Sequence, residues 1–133
     1  LKGIWFKFMC NIGENMTCAL LGIPFGGFQS SEHANWIRVN SMREVAAIAQ
    51  KKGIDIGEKE IEMQNKTVMT IPYPNKPSTL QDLEAKKHTE VEMFAGTVVK
   101  MGEELSVPTP INELFYHGIR ILEEKNDGVI KLQ

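Results

Sequence analysis

The sequence lacks the features that are typical of nucleic-acid-binding, membrane and secreted proteins. Its 133 residues carry a net charge of −2, and no stripe of Lys and Arg alternates with aromatic residues, which argues against nucleic acid as a partner. Lys7, Asn11 and Glu14 interrupt the apolar start of the chain far short of a membrane span. The small-residue cleavage pattern of a signal peptide is also missing. We therefore expect a cytoplasmic protein that does not contact membranes.

Residues for redox, metal and nucleotide sites are equally scarce. The two cysteines, Cys10 and Cys18, form no CxxC pair, so we expect reduced, buried thiols. The three histidines have no partner at metal-ligand spacing, and no metal site is predicted. Gly22 to Gly27 follow a helix rather than a strand and lack the GxGxxG spacing, so no nucleotide-binding loop is predicted.

Apolar residues recur instead at helical spacing, and strand-like alternation is limited to the tail Gly128–Leu132. The predicted fold is all-α, a bundle-like packing of roughly six helices in one domain over residues 1–133. Helices are predicted over residues 3–21, 31–52, 55–71, 78–87 and 90–104, with a last helix after Thr109-Pro110. Capping boxes are predicted at Asp55/Glu58 and Ser78/Gln81, a hydroxyl cap at Thr109, and a loop over Phe25–Phe28.

The first helix carries a polar stripe. Lys7, Asn11 and Asn15 are spaced by four, which places them within roughly 80° of one another and over about 12 Å of helix axis. Most of the remaining circumference is apolar, so the stripe is suited to line a cleft that holds a small substrate. Two alternatives stay open on spacing alone. The three side chains could bond to neighbouring loops or face water, and Glu14 could pair with Lys7.

Two further polar residues have ordinary structural explanations. Ser78 stands at the start of a predicted helix, where capping alone accounts for a serine. Glu90 also begins a predicted helix, where the helix dipole favours a carboxylate. The pattern therefore does not require a functional role for either residue.

The motifs resemble those of a known family. Trp5-x-Lys7-x-x-x-Asn11-x-x-x-Asn15 is similar to the segment that opens the C-terminal domain of ketopantoate reductases (2-dehydropantoate 2-reductases). The later matching segments, in the order of the family, are Glu44-Val45-Ala46-Ala47, Gly53, Pro77-Ser78-x-Leu80-Gln81-Asp82, His88-Thr89-Glu90-Val91-Glu92, Gly96 and Val107-Pro108-Thr109-Pro110-x-Asn112. The resemblance runs from Trp5 to about Leu122. Each motif is moderately specific, and the ordered set is strongly so.

The resemblance implies a compact helical domain of the 6-phosphogluconate dehydrogenase C-terminal-like type. It also implies an N-terminal Rossmann domain, absent from this chain, that lies before Leu1 and binds most of the NADPH. The expected reaction is transfer of hydride from NADPH to a 2-keto acid, as in the reduction of ketopantoate to pantoate for pantothenate biosynthesis. The 133-residue chain alone is expected to be inactive.

The resemblance also implies roles for five residues. Lys7 would be the general acid and a cation at the developing alkoxide. Asn11 and Asn15 would hold polar groups of the substrate, and Ser78 its carboxylate. Glu90 would bond to the cofactor and help to orient Lys7.

Two departures from the family pattern leave the substrate open. Glu14 stands where an apolar residue is usual, and the loop Ile23-Pro24-Phe25 lacks an asparagine that some members carry. A related reductase with a different keto substrate therefore remains an alternative, as does a non-enzymatic helical module for dimerisation or binding. The choice between NADPH and NADH and the formation of a homodimer are also open.

Overall fold

A computed structural model describes residues 1–132. All regular secondary structure in this part of the chain is helical, which confirms the predicted all-α class. The segments are α1 (Lys2–Asn11), π1 (Ile12–Met16), α2 (Thr17–Leu21), α3 (Gly27–Ser30), α4 (Glu32–Lys51), α5 (Glu58–Val68), α6 (Ser78–Glu84), π2 (Glu92–Gly96), α7 (Thr97–Leu105) and α8 (Pro110–Asp127). Because α1, π1 and α2 are continuous, as are π2 and α7, the six predicted helices are all present.

Two local predictions of backbone structure are wrong. The predicted loop Phe25–Phe28 contains the start of the four-residue helix α3. The tail Gly128–Leu132 is not a strand, and residues 1–132 contain no strand with which it could pair. Gly128 instead ends α8 in the left-handed conformation, with φ 82°, which glycine adopts without steric cost.

The start of α4 follows the expected pattern, whereas the start of α5 does not. Ser31 caps α4, because its Oγ accepts a hydrogen bond from the backbone N–H of Ala34 at 3.1 Å. The capping box predicted at Asp55/Glu58 is wrong. The residue before α5 is Gly57, and its backbone N–H donates to Oε1 of Glu60 at 2.9 Å.

The hydroxyl caps predicted for α6 and α8 are also wrong. Ser78 is already the first residue of α6, and the capping position is held by Pro77, which has no side-chain acceptor. Thr109 precedes α8 but makes no capping hydrogen bond with its side chain. The carboxylate of Glu44 on α4 accepts hydrogen bonds from the first backbone N–H groups of α8 instead.

Helix α4 lies at the centre of the domain and contacts segments from α1 to α8. Every helical segment except α3 contributes buried side chains to the main core, and the loops at Ile56 and Val91 add two more. Its largest members include Met9, Ile12, Met16, Met42, Ile48, Ile61, Phe115 and Ile119. A smaller cluster joins α2, α3, α4, α5 and α6 through Cys18, Phe28, Ala34, Val68 and Leu80. Among the described residues, no helix combines the length and hydropathy needed to cross a bilayer.

Both cysteines are free thiols, as expected. Cys18 is buried and Cys10 is half-buried. Burial, with a smaller contribution from the nearby Glu14 carboxylate, raises the pKa of each thiol to about 12. Thiols with such a pKa are almost entirely protonated near neutral pH and are poor nucleophiles.

Candidate functional site

The polar stripe lies on the accessible side of the first long helix. Lys7 is exposed, and Asn11 and Asn15 are half-buried, whereas Met9 and Ile12 on the opposite side are fully buried. Among residues 1–132, no hydrogen bond or ion pair engages the three polar side chains. In this part of the chain, neighbouring loops therefore form no hydrogen bonds with these side chains.

The segment π1 interrupts the regular α-helix at the stripe. Asn11 directly precedes it and Asn15 lies within it. Short π segments insert one wide turn into an α-helix, and they occur frequently at functional sites. Gly13 lets π1 approach α4 closely, since a Cβ atom there would lie 2.7 Å from Cγ of Met42. The wide turn thus lies directly against the central helix.

Glu14 does not pair with Lys7, so the structure does not adopt that alternative. Its side chain enters the core, where the residue is only 6% exposed. Nε2 of Gln64 donates to Oε2 of Glu14 at 2.8 Å, and Nη1 of Arg38 lies 3.8 Å from the same oxygen. Burial raises the pKa of the Glu14 carboxyl, although the bond from Gln64 and the charge of Arg38 both act to lower it.

Arg38, which the sequence analysis missed, is buried on every side. Its Nη2 donates to Oδ1 of Asn65 at 2.6 Å, and its Nε donates to Oδ1 of Asn35 at 3.2 Å. Its guanidinium carbon lies 5.5 Å from the centroid of the Phe28 ring, within range of a cation–π interaction. The available signal was its spacing, because Arg38 lies four residues before the buried Met42 on the core-facing side of α4.

Ser78 begins α6 as an exposed residue that directly follows the buried Pro77. The preceding turn is held by backbone bonds from Phe25 N–H to the Asn75 carbonyl at 2.8 Å and from Gly26 N–H to the Tyr73 carbonyl at 2.9 Å. Within the described residues, the Ser78 hydroxyl caps no helix and has no partner. Helix initiation therefore does not explain this serine.

Glu90 is exposed in the turn that leads into π2. Its carbonyl accepts from Met93 N–H at 2.9 Å and from Phe94 N–H at 3.2 Å. The Phe94 ring stacks on Phe8 of α1, with centroids 6.2 Å apart. The turn that carries Glu90 consequently lies close to the helix that carries Lys7.

Segment π1, which continues α1, contacts both α6 and π2, so the elements that carry or adjoin the five residues are neighbours. Together these residues offer an ammonium, two amides, a hydroxyl and a carboxylate. Such a set suits a small polar substrate with negative charge. In residues 1–132, no three His, Cys, Asp or Glu side chains are placed to hold a metal ion.

Known proteins resemble this chain in both sequence and structure. The sequence profile of the family described as "Ketopantoate reductase PanE/ApbA C terminal" matches residues 1–123. The 2-dehydropantoate 2-reductase of Pyrobaculum aerophilum is 32% identical over 119 residues, which cover 90% of this chain and 42% of that protein.

Solved structures share the helical fold. The 2-dehydropantoate 2-reductase from Methylococcus capsulatus matches with a TM-score of 0.83 and 26% identity, over 94% of this chain and 43% of that one. A ternary complex of D-mandelate dehydrogenase with NADH and anilino(oxo)acetate matches with a TM-score of 0.87 and 19% identity, over 95% of this chain and 42% of that one. The chain thus spans roughly two-fifths of the length of these proteins.

Proposed function

The chain belongs to the family of ketopantoate reductase C-terminal domains, and from this premise we propose that it is the substrate-binding and catalytic half of an NADPH-dependent 2-keto acid reductase. In this proposal a Rossmann domain N-terminal to Leu1 holds most of the cofactor, and the two domains form a cleft between them. The reaction reduces ketopantoate to pantoate for pantothenate biosynthesis in the cytoplasm.

One observation carries the proposal. Lys7, Asn11 and Asn15 lie along the accessible side of a helix whose other side is buried, and the described residues offer them no hydrogen-bond partner. Polar side chains that a packed helix carries on its accessible side, without partners of their own, remain available to a ligand, and the packed backbone sets their positions relative to one another.

The chemistry requires a proton and a positive charge at one oxygen. As the ketone of the substrate accepts a hydride, its oxygen becomes an alkoxide. The Lys7 ammonium donates the proton to that oxygen and stabilises the charge as it develops. Exclusion of water from a closed cleft strengthens this interaction.

The other polar groups orient an acidic substrate without repelling it. The amides of Asn11 and Asn15 and the hydroxyl of Ser78 donate hydrogen bonds to the carboxylate and hydroxyl groups of the keto acid. Glu14 lies beside Asn15 in sequence, but its carboxylate is buried against Gln64 and Arg38. This placement supports an acidic substrate, because the negative charge of Glu14 is not presented to it.

NADPH supplies the hydride when it is bound. Within this chain, Glu90 is the residue that would hold it. The Glu90 carboxylate is exposed and has no partner in the part of the chain that the structure describes, so it fits the role of an acceptor for a ribose hydroxyl or amide group of the cofactor. From the same place it would help to orient Lys7.

A second candidate is reduction of a different 2-keto acid, with NADH as the donor. The solved structure with the TM-score of 0.87 is a D-mandelate dehydrogenase bound to NADH, so the same helical fold occurs in a protein with another substrate. The loop Ile23-Pro24-Phe25, which lacks the asparagine of some family members, is consistent with this candidate.

The test is Lys7→Ala in the complete reductase, assayed by NADPH oxidation with ketopantoate and a panel of other 2-keto acids. If Lys7 is the general acid, kcat on the best substrate should fall by about 10²- to 10⁴-fold.

The matched control is Lys2→Ala on the same helix. Lys2 is also exposed, and its ammonium pairs with Glu60 at 3.3 Å rather than with a residue of the proposed site, so its loss should leave kcat nearly unchanged. The role of Lys7 is refuted if Lys7→Ala retains more than about a tenth of the wild-type kcat on that substrate.

A further inference from the structure

Hydrogen bonds attach the turn that carries Glu90 to α8. Glu123 of α8 is a carboxylate with only 3% exposure. Its Oε2 accepts two hydrogen bonds from Thr89, one from the backbone N–H at 2.8 Å and one from the side-chain hydroxyl at 2.6 Å. The same hydroxyl oxygen of Thr89 accepts from the backbone N–H of Val91 at 3.2 Å.

These bonds fix the backbone on both sides of Glu90. The Glu123 carboxylate holds the peptide unit between His88 and Thr89, one residue before Glu90, and the Thr89 hydroxyl holds the peptide unit between Glu90 and Val91. The hydroxyl donates in one direction and accepts in the other, so each bond polarises the next. The charge of Glu123 is offset by Arg120, whose Nε lies 3.4 Å from Oε1.

Other links between this turn and α8 are more exposed. Nε2 of His88 lies 2.6 Å from Oδ2 of Asp127, with both side chains well exposed. Glu92 contacts Tyr116 and Arg120 at the surface. Exposed pairs contribute little to stability because water and salt screen them. The bonds from Thr89 to the buried Glu123 carboxylate therefore dominate the attachment of the turn.

We propose that Thr89 and Glu123 are positioning residues, which fix the direction in which the Glu90 carboxylate leaves the turn. This inference rests on the proposed function, in which Glu90 meets the cofactor and Lys7. The side chain of Glu90 has no partner of its own within residues 1–132, so its placement depends on its backbone. Small errors in the position of a functional group are costly in rate.

The hydrogen bonds from Val91 to Thr89 and from Thr89 to Glu123 form a relay. The first experiment asks whether this relay holds the turn, using the 133-residue chain. Thr89→Val removes the hydroxyl and keeps the shape of the side chain, whereas Thr89→Ser keeps the hydroxyl. Amide hydrogen exchange at Val91 should become about tenfold faster in Thr89→Val and stay near wild type in Thr89→Ser. Unchanged exchange in Thr89→Val would overturn the proposal.

The second experiment asks whether the relay acts through Glu90, using a double-mutant cycle in the complete reductase. In the wild-type background, Thr89→Val should raise KM for NADPH by about fivefold, the equivalent of one hydrogen bond. In the Glu90→Ala background the same substitution should have almost no effect on KM. Thr89→Ser should restore wild-type KM.

The possible failures are distinguishable. An active wild type in which Thr89→Val has the same effect with and without Glu90 overturns the positioning role and leaves the proposed function intact. A folded wild type that reduces no 2-keto acid overturns the proposed function and the positioning role together, and the relay is then a structural link only. The Thr89 pair of variants carries the test even if replacement of the buried Glu123 prevents folding.

Discussion

Glu14 is a carboxylate inside a helical core, one residue before an asparagine that we propose contacts an acidic substrate. Transfer of a charge from water to a protein interior is costly unless partners compensate for it. Gln64 and Arg38 supply that compensation on the side away from the polar stripe. The carboxylate of Glu14 therefore lies within the core and adds no negative charge to the polar stripe.

The buried position of Glu14 predicts a pH dependence of stability. Burial raises the pKa of this carboxyl in the folded chain above its ordinary value of 4.5. Its stabilising contribution is fully present below the unfolded pKa and is lost as pH rises through the folded pKa. Wild type should therefore lose unfolding free energy relative to Glu14→Gln as pH rises from 4.5 towards neutrality.

Urea denaturation of both proteins across this pH range measures the difference. Glu62→Gln, which alters an exposed carboxylate on α5, is the matched control. A difference between wild type and Glu14→Gln that is constant with pH, or that grows in favour of wild type, would contradict the assignment.

At the scale of elements, the start of α8 depends on a residue from α4. Oε2 of Glu44 accepts from the backbone N–H of Ile111 at 2.9 Å. Oε1 accepts from the backbone N–H of Asn112 at 3.0 Å and from its side-chain amide at 2.8 Å. The carboxylate satisfies two of the amides that a helix leaves free at its first turn, and it lies where the helix dipole favours negative charge.

Removal of this carboxylate should destabilise the domain. Glu44→Ala leaves two helix amides without their acceptor, and the unfolding free energy should fall by about 1–3 kcal/mol. Glu113→Ala is the matched control, because Glu113 is an exposed carboxylate in the same first turn, and it should cost less than about 1 kcal/mol. Chemical denaturation of the two variants measures both values, and equal losses would contradict this account.

The contrast between Thr109 and Glu44 explains which parts of the fold could be predicted. Helices follow from apolar spacing, which is local, and all six predicted helices are present. Caps were predicted from neighbouring residues, but Glu44 reaches α8 from 67 positions away in sequence. An acceptor that arrives through tertiary packing leaves no local signal. The same limit applies to Glu123, which bonds to Thr89 from 34 positions away.

The sequence pattern also does not predict the π segments. A period of 3.6 residues predicts that Glu14 shares the sector of Lys7, whereas the wide turn of π1 accompanies a Glu14 side chain buried in the core. The four-residue spacing of Lys7, Asn11 and Asn15 was enough to predict one accessible polar stripe. The partners of Glu14, which lies between Asn11 and Asn15, come from α4 and α5. No local sequence pattern predicts these partners.

At the scale of the whole molecule, we propose that the chain supplies one side of a site. It matches about two-fifths of the length of its relatives, and its polar groups lie on an accessible surface. We propose that the remaining side, with the phosphate-binding loop, belongs to the Rossmann domain. Catalysis then requires both domains, because the hydride donor and the proton donor lie on different sides of the cleft.

The most direct test of this account is NADPH oxidation by the 133-residue chain alone and by the same chain joined to a dinucleotide-binding domain of its family, with ketopantoate and a panel of 2-keto acids. The account predicts no turnover and only weak NADPH binding by the chain alone, and turnover that depends on Lys7 in the joined protein. Tight NADPH binding or turnover by the chain alone would contradict the division between domains. A folded, NADPH-bound joined protein that reduces no 2-keto acid would contradict the reductase itself.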